Sequence, residues 1–275
     1  NGDVYIGQFY QGKKHGLGTM TCKDGAVYCG SWFNDQMHEI GKQTWPCGDF
    51  YEGYFFYGKR GWQGKGRYTY DDGSVYEGSF KKDKMHGSGI LVSADGSVYK
   101  GDFKDNMYHG QGKQIYENNG YYEGEFKNGK KHGHGRFVFS TGNIYEGEFV
   151  DDKMHGQGKF TYSNGDMYNG RWKCDKMHGR GKMKYGSGKV DAGYWIGSRF
   201  FREDEDMDEL KPFFCPITYD IMEDPHIATD GISYEKYAIE RWFEDHNTSP
   251  STNAVISRIL IPNINLRQII EAIDA

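Results

Sequence analysis

Proline and cysteine are scarce in this sequence, and long apolar runs are absent. With 6 prolines among 275 residues, the 40 glycines do not belong to a collagen-like or proline-rich disordered tract. The five cysteines are scattered, odd in number and without a CxxC pair, which argues against a disulfide framework or a zinc ribbon. We therefore expect a reducing, cytoplasmic compartment and no secretion. No apolar run approaches the ~20 residues of a membrane-spanning helix.

Neither sign of charge is in large excess over the whole chain, but the two signs are unevenly distributed. Residues 1–197 contain 27 lysines and arginines against 23 aspartates and glutamates, a net charge of +4. Residues 198–275 contain 7 against 16, a net charge of −9. This change of sign predicts a domain boundary near residue 198.

The abundant glycines and aromatic residues are arranged periodically. A Tyr-x-Gly step recurs every 23 residues, with one spacing of 25, at Tyr5, Tyr28, Tyr51, Tyr76, Tyr99, Tyr122, Tyr145 and Tyr168. A degenerate ninth copy begins at Asp191. Such a period is typical of repeat architectures, in which each unit buries its face against the next. Because Asn1 occupies a turn position of the repeat, we expect the chain to be a fragment of a longer protein.

One repeat contains two strand patterns and two turn patterns. YEGEF (Tyr145–Phe149) alternates large and small residues as a strand does, and GKFTY (Gly158–Tyr162) predicts its antiparallel partner. The segments DDKMHG and SNGD are expected to be turns, and Asn-Gly in the second supplies the positive φ that tight turns need. Each repeat therefore predicts one β-hairpin.

A histidine recurs in the repeats, which raises the question of a metal site. The set is His15, His38, His86, His109, His132, His155 and His178. Equivalent positions of neighbouring hairpins lie about 10 Å apart, whereas zinc ligands lie within ~2.3 Å of the ion. We therefore predict no metal site in the repeats and a role for these histidines in stabilising turns.

The repeated residues resemble the signature of the MORN repeat, YxGxF followed by HGxG, over residues 1–197. The matching residues in one copy are Tyr122, Gly124, Phe126, His132, Gly133 and Gly135. The resemblance implies a mostly β fold, an elongated single-layer array of β-hairpins that would span roughly 80 Å for eight units. A protein of this kind is suited to holding other proteins together.

The turns of the repeats bear on the choice of partner, because MORN repeats have also been linked to acidic phospholipids. Lysine pairs occur in these turns, but so do Asp35, Asp83, Asp105, Asp151, Asp152 and Asp175. The resulting field is weak, so the sequence favours a protein partner over a phosphoinositide or acidic membrane, and no nucleic acid is expected. Open strand edges at the end of the array make a homodimer a further hypothesis.

The 23-residue period is absent from the C-terminal part of the chain. Residues 198–209, which include the acidic run EDEDMDE, are predicted to be a linker. Residues 210–275 predict a small α+β domain with a short strand HIAT (His226–Thr229) and a helix capped by Ser233. A second helix is predicted at Asn265–Ile273, where apolar residues recur at i, i+3, i+4 and i+7.

Four phrases of residues 210–275 together resemble the U-box domain: FFCPITYDIMEDP, DGISYEKYAIERWF, SPSTN and LIPNINLRQII. The resemblance implies a zinc-free relative of the RING fold, in which hydrogen bonds and ion pairs replace the metal. The expected replacements are Asp220, Asp224, Asp230, Ser233 and Asn263. It also implies a ubiquitin ligase that binds a ubiquitin-charged conjugating enzyme and orients it for transfer, without cofactor or covalent ubiquitin intermediate.

The resemblance carries over candidate residues for binding the conjugating enzyme. Ile217 follows Cys-Pro in the first loop, Trp242 lies on the helix, and Val255 stands in the second loop where the family usually has proline. Asn253 is the nearest match to a basic residue that contacts ubiquitin in many active members. The alternative for Ile217 and Trp242 is a core position. Cys215 is interpreted as a buried structural cysteine, because it stands in the apolar run FFCPI, which contains no lysine, arginine or histidine to lower the thiol pKa.

Two functions of different classes are compatible with the sequence. The first is a ubiquitin ligase whose repeats select or localise substrates. The second is a scaffold of a cytoskeletal or ciliary assembly, or a membrane-tethered adaptor, with a weak or inactive U-box. Asn253 and Val255 favour the second, because a neutral amide makes a weaker contact than a charged side chain. Ile217 and Trp242 favour the ligase, which is our prediction.

Overall fold

The computed structural model describes residues 2–61, 64–202 and 210–274, and it confirms the predicted fold class. The chain is mostly β, with antiparallel hairpins followed by a small C-terminal α+β region. It forms two compact units, Asn1–Asp152 and Lys153–Ala275, which are described separately. No helix in the described part of the chain is long and apolar enough to cross a bilayer.

Unit 1 is built from antiparallel hairpins, and strands that follow one another in sequence pair along a sheet. Its strands, among the residues described, are β1 Val4–Tyr10, β2 Lys13–Thr21, β3 Val27–Phe33, β4 Gln36–Thr44, β5 Phe50–Phe56, β6 Lys59–Arg60, β7 Lys65–Thr69, β8 Val75–Lys81, β9 Lys84–Val92, β10 Val98–Lys104, β11 Met107–Ile115, β12 Tyr121–Lys127, β13 Lys130–Val138 and β14 Ile144–Val150.

Unit 2 continues the same hairpin pattern and then changes to a mixed fold. Its hairpin strands are β15 Lys153–Thr161, β16 Met167–Lys173, β17 Lys176–Lys184, β18 Val190–Ile196 and β19 Arg199–Arg202. The C-terminal elements are a 3₁₀ turn at Lys211–Phe213, β20 Pro225–Ile227, β21 Ser233–Glu235, α1 Lys236–Asp245, β22 Ile261–Pro262 and α2 Ile264–Asp274. Strand β20 pairs antiparallel with both β21 and β22.

The predicted domain boundaries at 197/198 and 209/210 stay predictions. Four residues of the predicted linker form β19, and residues 203–209 lie outside the described part of the chain. Tyr194, Ile196 and Phe201 of the β18–β19 hairpin belong to the same buried cluster as the core of the C-terminal elements.

The recurring tyrosine explains why each hairpin needs glycines at fixed positions. Tyr122 is fully buried, and its ring lies across the paired glycines Gly124 and Gly135 of β12 and β13. A Cβ atom on Gly135 would lie 2.3 Å from the Tyr122 hydroxyl oxygen. That hydroxyl donates a hydrogen bond of 2.9 Å to the carbonyl oxygen of Glu125. Glycine is therefore required here for close approach of the ring.

The tyrosines also join neighbouring hairpins through edge-to-face ring contacts. The Tyr122 ring centroid lies 5.0 Å from that of Phe126 in its own hairpin and 5.0 Å from that of Phe149 in the next. Such pairs contribute about 0.5–1.5 kcal/mol beyond area burial. Burial raises the pKa of Tyr51, at the equivalent position, to about 12 although the Arg60 guanidinium acts in the opposite direction.

The hairpin turns are shorter than the sequence pattern predicted. The segment DDKMHG was expected to be one turn, but the residues with positive φ are Asp151 (48°) and Asp152 (72°), and β15 already begins at Lys153. A two-residue turn with both φ positive matches the right-handed twist of the strands. Such turn aspartates also bind the preceding hairpin, because Asp152 Oδ1 accepts the Lys131 N–H at 2.9 Å.

The recurring histidines lie in strands, next to the turn of the following hairpin. His132 Nδ1 is 4.0 Å from Asp151 Oδ1, and His86 Nδ1 is 3.8 Å from Asp105 Oδ1. Nowhere among the described residues do three histidine, cysteine or acidic side chains come close enough together to hold a metal ion. The predicted absence of a metal site stays a prediction.

Candidate functional site

The C-terminal elements of unit 2 surround a compact core. Cys215, Met222, Tyr234 and Ile239 are each at most 1% exposed, half-buried Ile217 of one loop packs against them, and Ile256 of a second loop is buried in the same cluster. We call residues 214–221 loop 1 and residues 247–256 loop 2. Since the two loops border one core, side chains on them can face a common partner.

Loop 1 is closed by two backbone hydrogen bonds. The Cys215 N–H donates to the Asp220 carbonyl oxygen at 2.9 Å, and the Tyr219 N–H donates to the Cys215 carbonyl oxygen at 2.8 Å. Ile217 lies half-buried at the tip, where it packs on the core. Tyr219 is 77% exposed with a φ of 55°, and it was not among the residues predicted from the sequence. Loop 1 thus presents two large side chains beside each other.

Loop 2 presents the other two predicted residues to solvent. Val255 is 78% exposed, and its backbone forms a β-bridge with Thr248. Asn253 is exposed with a φ of 59°, a conformation that asparagine tolerates better than most residues. Its N–H donates to the Ser249 carbonyl oxygen at 3.0 Å, which tightens the loop.

Trp242 connects α1 to loop 2. Its indole Nε1–H donates a hydrogen bond of 2.7 Å to the Thr248 carbonyl oxygen, and its ring stacks on His246 with centroids 4.1 Å apart. The side chain is half-buried and packs on the core. Trp242 therefore packs on the core and fixes the base of loop 2, while part of its ring stays accessible; its binding to a conjugating enzyme stays a prediction.

A network of buried hydroxyl groups fixes the position of loop 2. The Tyr234 hydroxyl donates to Asp230 Oδ2 at 2.8 Å and also lies 3.0 Å from Ser251 Oγ. Within loop 2, the Thr252 N–H donates to Ser249 Oγ at 2.9 Å. Burial alone would raise the pKa of Asp230, but hydrogen bonds from Ser249, the Ile232 N–H and Tyr234 hold it below its usual value. This carboxylate thus stabilises loop 2 in its charged form.

A buried carboxylate fixes the segment that follows loop 1. Glu235, 7% exposed at the junction of β21 and α1, accepts the N–H groups of Glu223 at 2.6 Å and Asp224 at 3.2 Å. The Glu235 N–H in turn donates to Cys215 Sγ at 3.3 Å. Asp224 forms an ion pair of 2.9 Å with Arg267 of α2.

The structure tests the residues that were expected to take the place of a metal. Asp224 and Asp230 act as described above, and Ser233 Oγ accepts a hydrogen bond of 2.9 Å from Asn263 Nδ2. Ser233 does not cap the helix as predicted, because it pairs within β21 and α1 begins at Lys236. Glu235, Tyr234 and Ser249 were not predicted from the sequence; Glu235 binds residues 11 and 12 positions earlier, and Tyr234 lies against Ser249 and Ser251, 15 and 17 positions later.

The comparisons with known proteins agree with this geometry. The MORN repeat model matches eight consecutive segments that together cover more than half of the chain, residues 5–27, 28–50, 51–75, 76–98, 99–121, 122–144, 145–167 and 168–190. The U-box domain model matches residues 211–273. The chain belongs to the MORN-repeat proteins and carries a U-box domain.

Curated relatives match the U-box segment. U-box domain-containing protein 36 of Arabidopsis thaliana is 56% identical over 61 residues, which are 22% of this chain and 14% of that protein. The probable bifunctional E2/E3 enzyme R795 of Acanthamoeba polyphaga mimivirus is 48% identical over 63 residues, 23% of this chain and 5% of that protein. The chain therefore spans only a small part of the length of these relatives.

Solved structures show weak similarity to the hairpins. The TCP domain of SAS-4 from Drosophila melanogaster is 12% identical with a TM-score of 0.35, and the alignment covers 56% of this chain and 83% of that chain. A similarity of this size supports no inference about the MORN repeats.

Proposed function

We propose that this protein is a ubiquitin ligase of the U-box type. Loop 1, α1 and loop 2 would bind a ubiquitin-charged conjugating enzyme through Ile217, Trp242 and Val255, and we add Tyr219 to this set. The observation that carries the proposal is a pair of loops that border one core: loop 2 is supported by half-buried Asp230 through Tyr234, and the segment that follows loop 1 is supported by buried Glu235. Large apolar side chains on a rigid support are typical of interface anchors.

The chemistry in this proposal takes place on the conjugating enzyme. A substrate lysine amine attacks the thioester carbonyl, the C–N bond forms, the C–S bond breaks, the cysteine thiolate of the conjugating enzyme leaves, and the proton lost by the amine passes to solvent. The U-box contributes by orienting the two reactants, which can supply several kcal/mol of rate enhancement. Cys215 would form no ubiquitin thioester, because its side chain is fully buried and accepts a backbone hydrogen bond.

The uncharged side chain of Asn253 bears on the expected rate of ubiquitin transfer. Its amide would hydrogen-bond to ubiquitin or the conjugating enzyme, but a neutral donor makes a contact about half as strong as a charged one. Val255 is fully presented in loop 2 and offers an aliphatic contact in place of the family's proline. We therefore expect modest activity or selectivity for particular conjugating enzymes.

The MORN repeats would serve as the surface that binds a substrate or places the enzyme. Exposed large apolar side chains on the first repeats, such as Ile6, Leu17 and Ile40, support a protein partner. Lysines and aspartates alternate in the turns, which gives less support to an acidic membrane. We place the protein in the cytoplasm, with attachment to the cytoskeleton or a cilium as an extension of the same proposal.

The test is an autoubiquitination assay of the full chain with a panel of conjugating enzymes. Ile217→Ala and Tyr219→Ala are compared with Ile259→Ala, an exposed aliphatic residue of the same domain outside the two loops. We expect ubiquitin ladders with the wild type and the control, and their loss in the loop 1 variants. Tyr219→Ala guards against misfolding, because Tyr219 is 77% exposed.

An absence of ladders with every conjugating enzyme would refute the ligase and leave the scaffold with an inactive U-box. Ladders that persist in both loop 1 variants would refute Ile217 and Tyr219 as docking residues.

A further inference from the structure

Three contacts from the last MORN repeats hold loop 1 and the residue pair that follows it. Arg171 Nη1 of β16 lies 2.7 Å from Asp220 Oδ1, at the end of loop 1. Lys173 Nζ of β16 lies 3.7 Å from Glu223 Oε1. At the start of loop 1, the Phe214 ring packs edge-on against Tyr194 of β18, with centroids 4.6 Å apart. Loop 1 is thus held at both of its ends by strands outside the U-box.

Arg171 makes a different contact from the residues at the same position in other repeats. The equivalent residues of three other repeats accept a hydrogen bond from their own hairpin: Gln8 from the Leu17 N–H at 3.0 Å, Asp102 from Gln111 at 3.3 Å and Glu125 from His134 at 2.9 Å. Arginine has no acceptor atom and cannot make this bond. In the eighth repeat the same position is instead turned toward the acidic end of loop 1.

Loop 2 has no need of such support. Its anchors, Asp230, Tyr234 and Ser249, all lie within the U-box itself. Loop 1 has the Glu235 carboxylate beneath the residues that follow it, but the side chain of Asp220 is directed to Arg171. The two loops therefore differ in whether the MORN repeats contribute to their position.

We propose that Arg171 and Lys173 are positioning residues for the conjugating enzyme, because they hold loop 1 in the geometry that presents Ile217 and Tyr219. On this view the docking surface of the U-box extends functionally into the last repeats. This inference rests on the proposed ligase function. The opposite net charges of residues 1–197 and 198–275 fit it, since a basic pair in β16 meets the acidic domain.

The chain offers a matched pair of variants for the test. Arg171→Gln introduces the residue that the first repeat carries at this position, so the hairpin gains an acceptor while the ion pair is lost. It is combined with Lys173→Gln. The control is Lys104→Gln with Lys127→Gln, two exposed lysines at the position of Lys173 in earlier repeats, which changes the net charge equally.

The first measurement is hydrogen–deuterium exchange of loop 1 in the full chain, without any conjugating enzyme. Exposed ion pairs each contribute about 0.2–1 kcal/mol. We therefore expect exchange in residues 214–223 to rise about three- to tenfold in the Arg171/Lys173 variant and not in the control. Unchanged exchange would refute the positioning role even if the protein is an active ligase.

The second measurement is the Kd for the conjugating enzyme most active in the autoubiquitination panel. We expect a rise of about three- to tenfold in the Arg171/Lys173 variant, a Tm close to that of the wild type, and a weaker salt dependence of binding. Faster exchange with an unchanged Kd would show a purely structural contact and refute the inference. A wild type that binds no conjugating enzyme would refute the proposed function, while the exchange result would still describe the contact.

A charge exchange separates the contact from direct effects on the partner. Arg171→Asp and Asp220→Arg are measured singly and together. We expect each single variant to weaken binding and the double variant to recover most of the loss, because residues in contact show coupled effects. Additive losses would contradict the role assigned to Arg171.

Discussion

Replacing Glu235 by alanine tests how the U-box holds its shape. The carboxylate is 7% exposed and accepts two backbone N–H groups, those of Glu223 at 2.6 Å and Asp224 at 3.2 Å. A hydrogen bond to a charged group contributes about 1.5–3 kcal/mol, and a buried donor without a partner costs a similar amount. The Asp224 bond is long and Asp224 is half-buried, so we expect a loss near the lower bound for two bonds, about 3 kcal/mol.

Peptide-resolved hydrogen–deuterium exchange shows which part of the domain loses stability. A change of about 3 kcal/mol corresponds to a roughly hundredfold increase of the opening equilibrium, since a factor of ten is about 1.4 kcal/mol. We expect this increase in peptides covering residues 221–235 and no change in peptides of unit 1. Glu240→Ala is the control, because Glu240 is exposed on the same helix α1.

Two results would refute this reasoning. An exchange rate in Glu235→Ala within about threefold of the wild type would show that the buried carboxylate is not a structural support. Slower or faster exchange after treatment of the wild type with EDTA would show that a metal ion, and not this network, holds the loops. We expect EDTA to have no effect.

Two further predictions concern the repeats and the carboxylate that supports loop 2. Gly135→Ala should destabilise unit 1 by about 2–3 kcal/mol in urea unfolding, because its Cβ would lie 2.3 Å from the Tyr122 hydroxyl oxygen. Gly129→Asn, at a turn position with open space around it, should cost less than about 1 kcal/mol, and equal losses in the two variants would contradict the packing of the tyrosine ring on the glycines. Asp230→Asn should lower the free energy of unfolding at pH 7, and this loss should shrink as the pH falls below ~4, because a carboxyl with a lowered pKa stabilises the fold only while it is ionised. A loss that stays constant down to about pH 3 would contradict this role.

The hairpins could be predicted from the sequence because their determinants are local. The 23-residue spacing and the glycines near each tyrosine are visible in one dimension, and the observed strands follow them. The turn was predicted too long because Lys153, Met154 and His155 do not look like a strand by composition. Met154 is 9% exposed, and its burial on the sheet makes the segment extended.

The candidate site was predictable only in part. Ile217, Trp242, Val255 and Asn253 could be located because characteristic phrases of the U-box surround them, and whether they bind a conjugating enzyme stays a prediction. Their supports could not be located, since Glu235 acts on residues 11 and 12 positions earlier. The ion pair between Arg171 and Asp220 joins two segments whose local sequences give no sign of each other.

The hairpin of β18 and β19 has a consequence for how such a chain can be altered. Tyr194, Ile196 and Phe201 are buried in the same cluster as Cys215 and Ile239. This hairpin therefore belongs both to the row of hairpins and to the core of the C-terminal elements. Truncation after residue 197 or before residue 210 would expose aromatic side chains on each product and favour aggregation. We therefore expect whole 23-residue modules upstream of β16 to be duplicated or deleted without loss of this core, whereas loss of the β18–β19 hairpin would disrupt it.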